Sequence, residues 1–129
     1  MERQSKGKLL SFIDDLQSIV NSEEKSVYER IKKDSFYSIY DEISSIREYV
    51  ESLKCLIFDR VIYSTDRQAI NIKEFNEIND CLNKEFNSIE EFIDDNLPEL
   101  YDKNAITFME IYFHIESGLE SIFKTIWEL

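Results

Sequence analysis

The sequence predicts an all-α fold, a single-domain helical bundle over residues 1–129 with four long helices and one or two short ones. Three observations carry that prediction. Apolar residues recur at helical spacing almost throughout the chain. Between Gly7 and Pro98 there is neither glycine nor proline, so turns there fall to Asn, Asp and Ser, which are also helix N-cap residues. Third, Phe36, Ile39, Ile43, Ile46, Val50, Leu53 and Ile57 are spaced alternately three and four apart, the signature of a long helix with one buried seam.

Taken in order, a first helix carries Leu9, Phe12, Ile13, Leu16, Ile19 and Val20 on its apolar face. Asn21 and Glu24 have capping-box spacing and are expected to open a short helix with Val27, Tyr28 and Ile31. Asp34 or Ser35 then caps the long seam helix, which Val61 extends. That seam suits either a coiled-coil dimer or the central helix of an antiparallel bundle, since both pack alike. The bundle is preferred, because other apolar helices in the same chain are at hand to cover it.

Tyr63 to Gln68 reads as the main mid-chain loop. Asn71 with Glu74 opens the next helix, whose stripe is Phe75, Ile78, Leu82, Phe86, Ile89 and Ile93. Ser88 with Glu91 is a second cap candidate, so a break or bend is expected near Asn87. Asn96, Pro98 and Glu99 suit a fresh helix start. Asp102 or Asn104 caps the last helix, which runs to about Trp127 and is apolar around much of its circumference. Such a helix belongs in the middle of a bundle or under an oligomer interface. Gly118 within it marks a close helix crossing, at a propensity cost of roughly 1 kcal/mol relative to Ala.

Composition narrows the function classes. The net charge is −12, and residues 74–129 alone carry three basic and fourteen acidic residues, net −11. A field of that sign repels nucleic acid and anionic membrane and speeds encounter with basic proteins. The chain starts at Met1 without a charged-then-apolar leader, and its longest apolar run, from Ala105 to Ile115, is broken by Glu110 and His114. The expectation is therefore a cytoplasmic protein with no membrane span. Cys55 and Cys81 have no CxxC spacing and read as buried free thiols. Arg3, Lys6, Lys8, Lys32 and Lys33 are too few and too mixed with acids to form a nucleic-acid footprint.

Catalytic patterns are not found. His114 is the sole histidine and lies on the most apolar helix, four residues after Glu110. That spacing places both on one helical face, which suits a histidine bonded to a carboxylate at the core edge better than a metal or acid–base pair. The paired Glu-x-x-His of di-metal bundles, Cys/His zinc spacings and EF-hand ladders are missing from the sequence. With two glycines in the chain, neither in a phosphate-cradling turn, nucleotide binding has no sequence support. No catalytic, cofactor-binding or metal-ligating residue is assigned, and no enzyme is expected.

The stretch from Ser88 to Asp102 holds six carboxylates and no basic residue. It reads as a metal site, as a docking surface for a basic partner, or as the wet side of helix ends. Glu90, Glu91, Glu99 and Asp102 are explicable as helix-start chemistry, complementing a macrodipole. Asp94 and Asp95 sit near a helix C-terminus, where negative charge is disfavoured, and local folding does not account for them. With Glu77 and Asp80 upstream and Tyr101 as an aromatic anchor, they form a candidate partner-binding set: Glu77, Asp80, Glu90, Glu91, Asp94, Asp95, Glu99, Tyr101 and Asp102.

In size, charge and helicity the chain resembles bacterial immunity proteins and antitoxins, a resemblance of composition that transfers no motif and no residue. It implies a stoichiometric inhibitor that neutralises a basic, nuclease-type toxin through an acidic surface. One alternative is a structural or adaptor subunit assembling through the seam over residues 36–57, with a homodimer as its simplest form. Another is a phage-encoded nucleic-acid mimic that blocks a defence protein.

Overall fold

The computed structural model describes residues 3–33, 39–59, 72–96 and 105–128. Among them are four helices and no strand: α1 (Arg3–Lys32), α2 (Ile39–Ile57), α3 (Ile72–Asn96) and α4 (Ala105–Trp127). α1 packs on α2 and α4, and α3 packs on the same two, so the helices close a ring around one core. Cross-helix contacts give the directions. Arg47 meets Asp94 and Lys54 meets Glu90, so α2 and α3 run antiparallel. Ser88 meets His114 and Cys81 approaches Thr125, so α3 and α4 do too.

The seam is consumed by this ring. Ile39, Ile43, Ile46, Val50, Leu53 and Ile57 are all fully buried against the other helices. They share one core with Leu9, Ile13 and Val20 of α1, Leu82, Phe86 and Ile89 of α3, and Phe108, Ile115 and Leu119 of α4. The bundle packing is thus the one realised over residues 39–57, where all six of these seam side chains point into the chain's own core. Phe36 and Val61, the loop over residues 63–68, and the cap candidates Asp34, Ser35, Asn71, Asp102 and Asn104 lie outside the described residues.

Two expected helix breaks do not occur. α1 continues through Asn21 for 30 residues, because Val20 and Val27 keep the same buried stripe across the capping-box spacing. α3 likewise continues through Asn87, with Phe86, Ile89 and Ile93 on one buried line. In each case the gain from an uninterrupted apolar stripe exceeds the ~1 kcal/mol of a local cap. The one or two short helices are therefore absent among the described residues. Glu90 and Glu91 are interior to α3, not in a first turn, so macrodipole chemistry does not explain them.

Gly118 does mark a close crossing. A Cβ built there overlaps Cγ1 and Cδ1 of Ile89, so α3 and α4 approach closely where the side chain is missing. The cysteines depart from expectation: Cys55 and Cys81 are free but exposed, since each falls beside the buried stripe of its helix, not on it. α4, apolar nearly all round, buries one wide face on α1 and α3 and still leaves Phe113 at 68 % and Trp127 at 62 % exposure.

Candidate functional site

α3 presents an exposed row of Glu77, Asp80, Lys84, Asn87, Glu91 and Asp95, spaced three or four residues apart. Four are carboxylates and one is a lysine. The same helix turns Glu90 and Asp94 the other way, toward α2. Asp94 accepts two hydrogen bonds from Arg47, Nε to Oδ1 at 2.6 Å and Nη2 to Oδ2 at 2.8 Å. The bond to Asp94 raises the Arg47 guanidinium above its ordinary pKa. A bidentate pair of this kind is a directional contact, and it brings a cation to a helix end where carbonyls point outward. α3 has no basic residue of its own in its last turn. Asn96 adds a side-chain bond, Nδ2 to the Phe92 carbonyl at 2.8 Å, satisfying one of those carbonyls.

So Asp94, which local folding left unexplained, is accounted for by a residue 47 positions away. Glu90 is 13 % exposed and lies 3.9 Å from Lys54 Nζ, which places it in the α2–α3 seam and away from a partner's reach. Of the nine residues singled out by the sequence, Glu77, Asp80, Glu91 and Asp95 share the outward face of α3. Glu99, Tyr101 and Asp102 lie outside the described residues.

Beside this acidic row runs an open apolar groove of about 620 Å³. Tyr28 and Ile31 of α1, Phe92 of α3 and Ile106, Met109 and Phe113 of α4 line it, with Glu110 and His114 at its margin. A second depression shares Phe92 and His114 with the groove and is walled by Lys84, Asn87, Ser88, Glu91 and Asp95. The apolar groove therefore opens directly onto the acidic end of α3. The imidazole of His114 is the hinge between the two. It stacks on Phe92 with ring centroids 4.2 Å apart and 8° between planes. Its Nε2 lies 3.0 Å from Ser88 Oγ, and the tautomer decides which atom donates. The expected Glu110 partnership is not what holds the ring.

A serine beside a histidine raises the question of nucleophilic chemistry. Ser88 sits inside an unbroken helix, where surrounding backbone N–H groups are spent on helical bonds and leave no oxyanion donors. No carboxylate among the described residues is hydrogen-bonded to His114, so the orienting third member is missing too. Nor is there, among the described residues, any group of three or more His, Cys, Asp or Glu side chains able to hold a metal ion. No helix among them is long and apolar enough to cross a membrane. An apolar trough of this kind takes nonpolar side chains, and the carboxylates along it take cations.

The groove itself was not singled out from the sequence. Its signal was present in the wide apolar circumference of α4, which has more nonpolar positions than one buried face can use. Tyr28 and Phe92 had no such signal, because they belong to other helices and meet α4 only in the folded chain. Compared with known protein families, curated proteins and solved structures, the chain matches none of them.

Proposed function

We propose that this chain is a stoichiometric protein-binding inhibitor of the immunity-protein or antitoxin kind, which seats a basic amphipathic helix of its target in the groove between α1 and α4. The observation that carries the reading is the continuity of that groove with the outward carboxylates Glu91 and Asp95. A helix laid in the groove buries its apolar face on Phe92, Met109 and Phe113, while Lys or Arg on its flank meets Glu91, Asp95 and Glu110. The charge of residues 74–129, net −11, favours a partner of opposite sign and rapid encounter. The target class is a basic, nuclease-type bacterial toxin, whose substrate groove has the matching charge. The reading is preferred to an adaptor assembling through the seam of residues 36–57, because the seam side chains from Ile39 to Ile57 fill the chain's own core.

The test has two arms. A labelled 18-residue synthetic helix, Leu on one face and Lys on the other, is titrated with the protein by fluorescence anisotropy. Binding that weakens at least about tenfold with F113D and with E91K/D95K, and that a scrambled peptide fails to show, supports the surface. Equal binding by the scrambled peptide, or no effect of either variant, removes it. For the role, the protein is titrated one-to-one against the purified product of the adjacent gene. Loss of that product's nuclease activity at equimolar ratio supports an inhibitor, and full activity at excess overturns it.

A further inference from the structure

The ring leaves α4 with a second line of helical spacing, on its outward face. Ile106, Phe113, Glu120 and Trp127 recur every seven residues there, with Glu110, Ser117 and Lys124 between them, and all of these are exposed. Ile106, Phe113 and Trp127, at 70, 68 and 62 %, are the most exposed large apolar side chains among the described residues. Three such residues on one heptad line mark an interaction surface.

The two ends of this line differ in kind. At the N-terminal end, Ile106, Met109 and Phe113 form one wall of the apolar groove, with Glu110 and His114 at its margin. The C-terminal end carries an aromatic pair: Trp127 stacks beside Phe123, with ring centroids 6.3 Å apart and 13° between planes. Lys6 Nζ of α1 stands 5.6 Å from the indole centroid, and Lys124 borders the same pair. One end is thus a trough with a carboxylate at its edge, and the other is an aromatic anchor flanked by lysines.

We propose that a second copy of this chain packs on the outward face of α4, antiparallel and two-fold symmetric about Ser117, so that Trp127 of each copy enters the apolar groove of the other. Ser117 is the midpoint of the charge pattern. Glu110 and Lys124 each lie seven residues from it, and His114 and Glu120 each lie three. Antiparallel pairing about that point sets Glu110 of one copy against Lys124 of the other and Glu120 against His114, twice over by symmetry. Within α4, no acid of one copy falls opposite an acid of the other. Trp127 arrives beside Ile106 and Met109, on the groove's apolar wall. A serine at the axis is small enough for the two helices to approach closely.

The pairing does not depend on the inhibitor reading, but it uses the same groove, so a target helix would have to displace the second copy. Sedimentation velocity of the full chain, with no peptide present, tests it from about 5 to 500 µM in about 0.15 M salt, where charges more than about 8 Å apart are screened. A monomer–dimer equilibrium in that range supports the proposal, and a monomer throughout overturns it. W127A should weaken the dimer at least about tenfold. E110K and K124E should each weaken it, and E110K/K124E together should recover it. A double variant as weak as the weaker single one overturns the proposal. In a C55S/C81S background, S117C should form a disulfide-linked pair under air, and E48C on α2 should not. Equal yields overturn the two-fold axis. A dimer that forms while the Lys/Leu helix fails to bind leaves the pairing standing and removes the docking surface. Binding of that helix to a chain that stays monomeric does the reverse.

Discussion

Asp94 on α3 is held by Arg47 on α2 through two parallel hydrogen bonds of 2.6 and 2.8 Å. The pair ties two antiparallel helices at the end of one and the start of the other. It also means that a charge reversal at Asp94 breaks an internal contact before it tests any partner. Glu91 and Asp95, which have no such tie, are the residues that report on docking.

The Arg47–Asp94 pair should be worth little despite its geometry. Its side chains are 33 % and 51 % exposed, and solvent screens pairs of that exposure to about 1 kcal/mol or less. A double-mutant cycle with R47A and D94A, read by urea unfolding, should return a coupling in that range. It should shrink further in 1 M salt, where the screening length is about 3 Å.

The two glycines should answer oppositely to alanine. At Gly118 the new methyl meets Ile89, so G118A should destabilise by about 1–3 kcal/mol even though alanine is the better helix former. Shortening the obstructing side chain, as I89V or I89A, should recover part of that loss in the double variant. At Gly7 nothing lies within 4 Å of the added Cβ, so G7A should stabilise by about 0.5–1 kcal/mol. Denaturant midpoints of the variants decide both.

Tyr112 is fully buried, and its hydroxyl finds no hydrogen-bond partner among the described residues. Burial and then the nearby charge of Glu23 and Glu42 push its ionisation upward, so it stays neutral. Y112F removes a desolvated polar atom and keeps the ring. It should therefore leave stability unchanged or raise it by about 1 kcal/mol, measured by thermal unfolding. A loss of 2 kcal/mol or more would mean that the hydroxyl has a partner.

Ile46 sits at the middle of the seam and is fully buried. I46A should cost about 2–5 kcal/mol by calorimetry or urea unfolding. I46E places an unpaired charge in the core and should unfold the chain outright. A folded monomer released from a dimer by I46E, seen by sedimentation, is the outcome that would favour the adaptor reading.

The all-α class, the seam over residues 39–57 and most of each buried stripe were legible in the sequence because 3.6-residue periodicity is a local property of the chain, but Phe12 and Ile19, expected on the apolar face of the first helix, stand exposed at its edge. Ile39 through Ile57, Leu82 through Ile93 and the crossing at Gly118 all stand where spacing alone places them. The helix breaks at Asn21 and Asn87 were misread for a related reason. A capping signal is local, but whether it acts depends on how much apolar surface the neighbouring helices cover on either side of it. The sequence also determined where negative charge is concentrated. Only the tertiary structure decided which carboxylates remain outward. Arg47 ties the half-exposed Asp94 toward α2 and Glu90 lies in the α2–α3 seam near Lys54, leaving Glu91 and Asp95 beside the groove, and that sorting depends on contacts between residues far apart in the chain.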